Sequence, residues 1–318
     1  MQTRLIFCSD IYIVKIVGGN WMRYVVCSIL VVVVAISAIF ITGNANAHKK
    51  AIVVVSFGTT FDDARTECIE SVENKIKAAF PDYEVRRAFT SRIVIKRLDE
   101  RGIYTDTLEV VLDKLKAEGY TDIVIQSTHL TPGEEYDKKI IAPVKEYEAS
   151  FKSIKIGRPI FMNDGSDKTT DDFSVAMKAL QTQLPALKEG QEVVFMGHGS
   201  PHQHNPAYQA LQEKFDAAAL PVTIGVVEET DHPNFEDVVA RLAAKQSVKS
   251  IILMPLMLVA GDHANNDMAG NQDDSWKNSL ESKGYQVDTY LHGLGENKAI
   301  QDVYVQHVKD AIAGKSVK

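Results

Sequence analysis

The sequence predicts an α/β protein of two similar lobes, each a parallel sheet flanked by helices, with a functional cleft between them. Three observations predict it. From residue 50 onward, short β-branched runs alternate with stretches of helical periodicity, the pattern of a parallel sheet covered on both faces. The order of motifs occurs twice along the chain. The polar motifs of chemical interest stand just beyond apolar runs, at the strand ends where parallel α/β sheets bind ligands.

Ala51–Val55 reads as the first strand and stops at Ser56-Phe57-Gly58-Thr59. Cys68, Val72, Ile76 and Phe80 recur every four residues, predicting a helix with Thr60, Asp62 or Asp63 as N-cap and Pro81 as its stop. Leu108, Val111, Leu112 and Leu115 mark a second helix that Gly119 closes. The runs at 122–126, 154–160, 192–196, 222–227 and 250–254 continue the strands, and a last helix covers residues 298–312. The repeat matches Gly58 to Gly197, and Gly133-Glu134-Glu135 to Gly261-Asp262-His263. The paired glycines stand 75 residues apart in the first half and 64 in the second. Lobes of 48–165 and 166–318 follow, with Glu135 and His263 as equivalent positions facing each other across the cleft.

The 318 residues carry a formal net charge of −7, without the basic excess of a nucleic-acid partner. The N-terminal stretch is distinct. Met22-Arg23, an apolar run from Val25 to Ile41 and Asn44-Ala45-Asn46-Ala47 make a secretory signal peptide over residues 1–47, cleaved after Ala47. This predicts a periplasmic protein whose contact with the membrane comes only through the export signal. The apolar run approaches the roughly 20 residues that span a bilayer, so an uncleaved anchor is the alternative. Residues 1–21 add nothing to the signal, which makes Met22 a candidate start. Beyond the leader, 32 basic residues face 41 acidic ones, and Cys68 is the lone cysteine, so no internal disulfide forms.

Four motifs carry candidate chemistry. In Phe195-Met196-Gly197-His198-Gly199-Ser200, an apolar run stops and two glycines let the backbone approach a ligand around His198, whose imidazole suits cobalt, nickel, zinc or iron. The bland alternative is a turn histidine bonded to backbone; His202 and His204 read as exposed loop residues. The segment from Met254 to Met268 is apolar until Gly261 and then polar, forming a pocket wall with His263 at its mouth. Asp262 and Asn265 are candidate caps of the next helix, and Met254, Met257 and Met268 read as packing residues. After the strand at 122–126, one of Glu134 and Glu135 caps a helix while the other, Glu135 by the repeat, points inward. His129 is either a metal or ligand contact or a structural histidine. Glu228, beyond the strand at 222–227, either completes a His/His/Glu metal site or is a solvated surface carboxylate.

G-x-x-x-x-G-K-[ST] is absent, which argues against ATP-driven chemistry, and so is C-x-x-C. The segments Val54–Thr59, Arg87-Ala88-Phe89-Thr90-Ser91, Gly133–Tyr136, Val194–Gly199, Leu253–Ala264 and Asp274-Ser275-Trp276-Lys277 together resemble the anaerobic sirohydrochlorin cobaltochelatases of the class II chelatase family, related in structure to ferrochelatase. The likeness spans about residues 50–315. It implies a bilobal fold and ATP-independent insertion of Co2+, with iron as the alternative, into sirohydrochlorin. Metal would be held at His198 and His263, with Glu135 as catalytic carboxylate. Glu228 joins the metal set from its strand position alone. Arg87 and Arg92 are candidates for the substrate carboxylates, and Ser56, the Gly58 backbone and His129 for neutral contacts. An export signal is a departure for this family. It motivates a second reading, a periplasmic carrier of metal, haem or another tetrapyrrole built on a chelatase fold. A homo-oligomer is compatible with either.

Overall fold

Among the described residues, eight strands form two four-stranded sheets in which every pairing is parallel. The computed structural model describes residues 48–166, 169–200, 205–315 and 317. The expected leader, His202 and His204 lie outside the described residues. In the first sheet β1 (Lys50–Ser56), β2 (Glu84–Phe89), β3 (Asp122–Ser127) and β4 (Ser153–Gly157) run in the order β2-β1-β3-β4. In the second, β5 (Gln191–Gly197), β6 (Val222–Val226), β7 (Ser250–Pro255) and β8 (Gln286–Thr289) run in the order β6-β5-β7-β8. The two orders are the same, so the repeat is one of architecture as well as motif.

Side-chain alternation sorts each sheet between two cores. Ile52, Val54 and Val124 share a central cluster with Val193, Phe195, Ile224 and Met254 of the other sheet. Helices Ser71–Ala79, Asp172–Gln181, Pro206–Ala217 and Lys298–Ile312 add Ile76, Leu180, Leu211 and Tyr304 to it. The opposite faces pack separately: Val53 and Ile125 on helix Leu108–Ala117, and Val194 and Leu253 on Phe235–Ala244 and Trp276–Ser282.

Pairing registers refine the repeat. Val55 pairs with Ser127 in the first sheet and Met196 with Pro255 in the second, so Ser56 corresponds to Gly197 and Gly58 to Gly199. The match of Gly58 to Gly197 is thus displaced by two residues, a slip that keeps every side chain on its face and leaves no trace in the hydrophobic pattern. Gly58 and Gly199 both adopt left-handed backbone, with φ of 98° and 84°. Glu135 and His263 keep their equivalence, since each follows the last residue of its strand, Ser127 or Pro255, by eight positions.

Helix starts differ from expectation. No side chain caps the helix that opens at Asp62; Phe61 occupies the N-cap, and residues 65–70 form a π-helical turn before Ser71–Ala79. Asp62 instead binds Arg65 and Arg101. Similar π turns cover Asp137–Ile141 and Ala264–Met268, directly after the two repeat motifs. Such turns recur at functional sites because they re-aim side chains.

The last helix returns to the first lobe. The Tyr304 hydroxyl donates to the Thr128 carbonyl at 2.8 Å, and Lys155 reaches the Ile312 carbonyl at 2.7 Å. Beneath them, Arg158 binds Asp172 through two nitrogens and Asp310 at 2.7 Å, all three side chains being buried. Burial opposes ionisation of Asp172, but hydrogen bonds from His307 and Arg158 outweigh it and hold the carboxyl below its usual range. Arg158→Ala would remove the guanidinium that joins two buried carboxylates, leaving Asp172 to His307 and Asp310 to Gln306 and Lys315, and should cost about 3 kcal/mol in urea unfolding at neutral pH, the low end for breaking a buried pair. A lowered native carboxyl stabilises above the unfolded-state value of about 3.9 and loses that contribution as pH falls through the native value. The gap between wild type and variant should therefore narrow below about pH 4.

Candidate functional site

The carboxyl ends of β5, β6 and β7 bring His198, Glu228 and His263 together. β5 closes on Gly197, where a Cβ would lie 2.4 Å from the Tyr208 ring, so only glycine fits. A Cβ on Gly199 would lie 2.9 Å from Val226 and 3.0 Å from the Glu228 Cβ, so this glycine lets the β6 end approach. The Glu228 amide donates to the His198 carbonyl at 3.1 Å. The loop is braced from below: the Gly199 amide donates to the Tyr208 hydroxyl at 3.3 Å, while buried Asp231 accepts from the Ser200 and Asn205 amides.

His263 reaches the same point from β7. The chain passes buried Leu256 and half-buried Met257, Leu258 and Val259, turns at Gly261, and carries His263 into the π turn. The imidazole rings of His198 and His263 stand edge to face, with centroids 4.8 Å apart and planes at 89°. Both side chains are partly open to solvent, at 48% and 40%.

Their hydrogen bonds fix which nitrogen is free. Nδ1 of His198 lies 3.1 Å from the Gly199 carbonyl, and Nδ1 of His263 lies 2.6 Å from a carboxylate oxygen of Asp267. A carbonyl or ionised carboxylate only accepts, so each Nδ1 carries the proton and each neutral ring presents its Nε2 lone pair. This is the arrangement of metal-binding histidines oriented by a second acceptor. Glu228 Oε1 stands 3.8 Å from His198 Nδ1, close enough to add negative charge. Among the described residues, no three His, Cys, Asp or Glu side chains yet converge on one ion-sized point. The arrangement is a prepared pair of nitrogens with a carboxylate alongside.

The profile of the cobalt chelatase (CbiK) family matches residues 50–313. The chain belongs to this family. It is 40% identical over 265 residues to the sirohydrochlorin cobaltochelatase of Salmonella typhimurium, covering 83% of this chain and 97% of that one. It is 32% identical over 273 residues to sirohydrochlorin cobaltochelatase CbiKC of Nitratidesulfovibrio vulgaris, covering 83% and 91%. Among solved structures, SirB from Bacillus subtilis with Fe3+ is similar at a TM-score of 0.55 and 17% identity, over 84% of this chain and 97% of that one. The sirohydrochlorin chelatase SirB of Bacillus subtilis subspecies spizizenii in complex with cobalt gives a TM-score of 0.54 at 15% identity, covering 84% and 96%. At these identities the structures share the bilobal chelatase fold.

Other residues of the CbiK-family chain fall into two groups. Glu135 is half-buried and makes no hydrogen bond or ion pair among the described residues, whereas neighbouring Glu134 pairs with Lys138. Arg92 is exposed at the start of helix Arg92–Asp99 and is likewise unpaired among the described residues. The His129 ring holds Ser127 Oγ at 3.0 Å, its buried Nε2 has no partner among the described residues, and burial pushes its pKa down to about 4. It is neutral at pH 7.

Arg87 and Ser56 are committed elsewhere. Arg87 grips Glu73 through two bonds of 2.7 and 2.6 Å and reaches Glu70 at 3.2 Å, so its charge is already engaged by the helix beside β2. Ser56 is buried and accepts a 2.8 Å bond from Thr128. Gly58 is required sterically, since a Cβ there would lie 2.6 Å from the Phe89 ring. Asp262 and Asn265 do not cap the helix: Asp262 accepts from Asn266, and Asn265 donates to the Gly261 carbonyl. Met254 and Met268 are packed in the core, as their apolar setting predicts.

Asp267 has no role in the sequence argument. The spacing His263-x-x-x-Asp267 is its one signal, and it acquires meaning only once a helical turn stacks the pair. Asp267→Ala should lower cobalt(II) affinity by about 10–100-fold in calorimetric titration of the metal-free protein, with little change in thermal midpoint.

Proposed function

We propose that this protein inserts Co2+ into sirohydrochlorin without ATP, working outside the cytoplasm after removal of residues 1–47. The observation that carries the reading is the edge-to-face pair of His198 and His263, each with Nδ1 donated to an oxygen acceptor and Nε2 left for a metal. Its relatives are named sirohydrochlorin cobaltochelatases, which supports the same substrate here. The absence of a phosphate-cradling loop motif supports independence from ATP, and the Ala45-Asn46-Ala47 end of the leader supports export.

Insertion exchanges two pyrrole N–H protons for one Co2+ and strips water from the ion. His198 and His263 receive the ion as neutral ligands, and Glu228 offsets part of its charge. Holding it beside a bound macrocycle makes the transfer local rather than a collision. Glu135, which pairs with no cation among the described residues, takes up the two pyrrole protons one at a time, releasing the first to solvent before it accepts the second. Arg92, exposed and without an ion pair among the described residues, is a cation that meets a substrate carboxylate at the rim.

The test is anaerobic absorbance spectroscopy of the mature protein with excess sirohydrochlorin and cobalt(II), against a protein-free control. Many turnovers per protein are expected. A spectral change that stops at one equivalent would instead favour the carrier reading, with haem or another tetrapyrrole as cargo. His263→Ala should abolish turnover while leaving the circular dichroism spectrum intact; near-normal turnover in that variant would remove the histidine pair from the mechanism.

A further inference from the structure

The repeat gives the metal-binding corner of the second lobe a counterpart in the first. By strand register, Phe57 occupies the position of His198, and each is followed by a left-handed glycine, Gly58 or Gly199. The Ser91 amide donates to the Phe57 carbonyl at 3.2 Å, just as the Glu228 amide donates to the His198 carbonyl at 3.1 Å. Glu135 corresponds to His263. The trio His198, Glu228 and His263 is therefore echoed by Phe57, Ser91 and Glu135. The backbone is the same, but a phenyl ring and a hydroxyl replace two metal-seeking groups.

Phe57 is out of place as a packing residue. Ala51 to Ser56 are buried at 0–1% exposure, yet the next residue shows 53% of its surface. The turn that holds it lies against the other lobe. An ideal Cβ on Gly261, two residues before His263, comes within 3.9 Å of the Thr59 hydroxyl, two residues after Phe57. Leu258 and Val259 of the second lobe pack near Phe89 and Leu98 of the first, so the two strand-end corners share one cleft.

We infer that Phe57 packs flat on the tetrapyrrole and turns its nitrogens toward the ion held by His198 and His263. An exposed aromatic ring that loses water against a large conjugated ring gains both area and stacking. The absence of a second imidazole at this position keeps cobalt on one side of the macrocycle, while Glu135 on the same lobe as Phe57 receives the protons. This rests on the chelatase reading, and the experiment separates the two.

Phe57→Ala, Phe57→Tyr and Phe57→Trp would be compared with wild type in steady-state cobalt insertion, in fluorescence titration of metal-free sirohydrochlorin, and in cobalt(II) calorimetry. The expected result is a rise of about tenfold or more in KM and in the sirohydrochlorin dissociation constant for the alanine variant. The aromatic replacements should restore both, and cobalt affinity should stay within twofold throughout. A merely structural ring would lower thermal stability in all three variants without this split. Wild-type turnover with unchanged KM and substrate affinity in Phe57→Ala would overturn the inference alone. Absence of turnover in wild type would overturn the chelatase reading, and loss of substrate binding in Phe57→Ala would still uphold the contact.

Discussion

Both sheets are buried on both faces, and that constraint decides where chemistry can occur. Val53 and Val54, or Val193 and Val194, face opposite cores, so a polar group along the strand interior is costly unless partnered, as Glu192 is by Thr223 and Lys245. Polar side chains enter where the strands stop, and the parallel arrangement places those stops along one edge of each sheet. Two glycine-hinged corners result, one per lobe, and the shared central core holds the sheets against each other. The C-terminal helix adds to this by crossing back to the first lobe through Tyr304 and the Arg158 cluster.

Within that frame the electrostatics differ sharply between the corners. The second lobe offers two imidazoles with their Nδ1 protons already engaged and a carboxylate 3.8 Å from one of them. With Nδ1 engaged, each neutral ring has its Nε2 lone pair available, and imidazole suits cobalt. The first lobe offers the half-buried carboxylate of Glu135, an exposed phenyl ring and a histidine kept neutral by burial. The paired imidazoles and the half-buried Glu135 thus stand on different lobes of one repeated scaffold.

Much of this was legible in the sequence where a residue's type and its periodicity agreed. β-branched runs located six of the eight strands, and the glycine-flanked His198 and the abrupt polarity change at Gly261 located both histidines. The two missed strands are edges. β2 carries Arg86 and Arg87, and β8 is four residues long with three of them exposed, so neither reads as a hydrophobic run. Side-chain partnership was not legible either. Arg87 looks like a free cation until the preceding helix brings Glu70 and Glu73 beside it, and Ser56 looks available until Thr128 is seen to donate to it. The π turns that orient Glu135 and His263 have no sequence signature, because one inserted residue leaves the apolar spacing nearly unchanged.

The measurement that tests the central claim most directly is the position of the ion itself. Crystals of the mature protein soaked anaerobically in cobalt(II), with anomalous data collected on either side of the cobalt absorption edge, would show it. One cobalt peak bonded to Nε2 of both His198 and His263, with Nδ1 of each still donating to Gly199 and Asp267, is the predicted result. A cobalt ion bound elsewhere, or bound through Nδ1 after either ring has turned, would contradict the account.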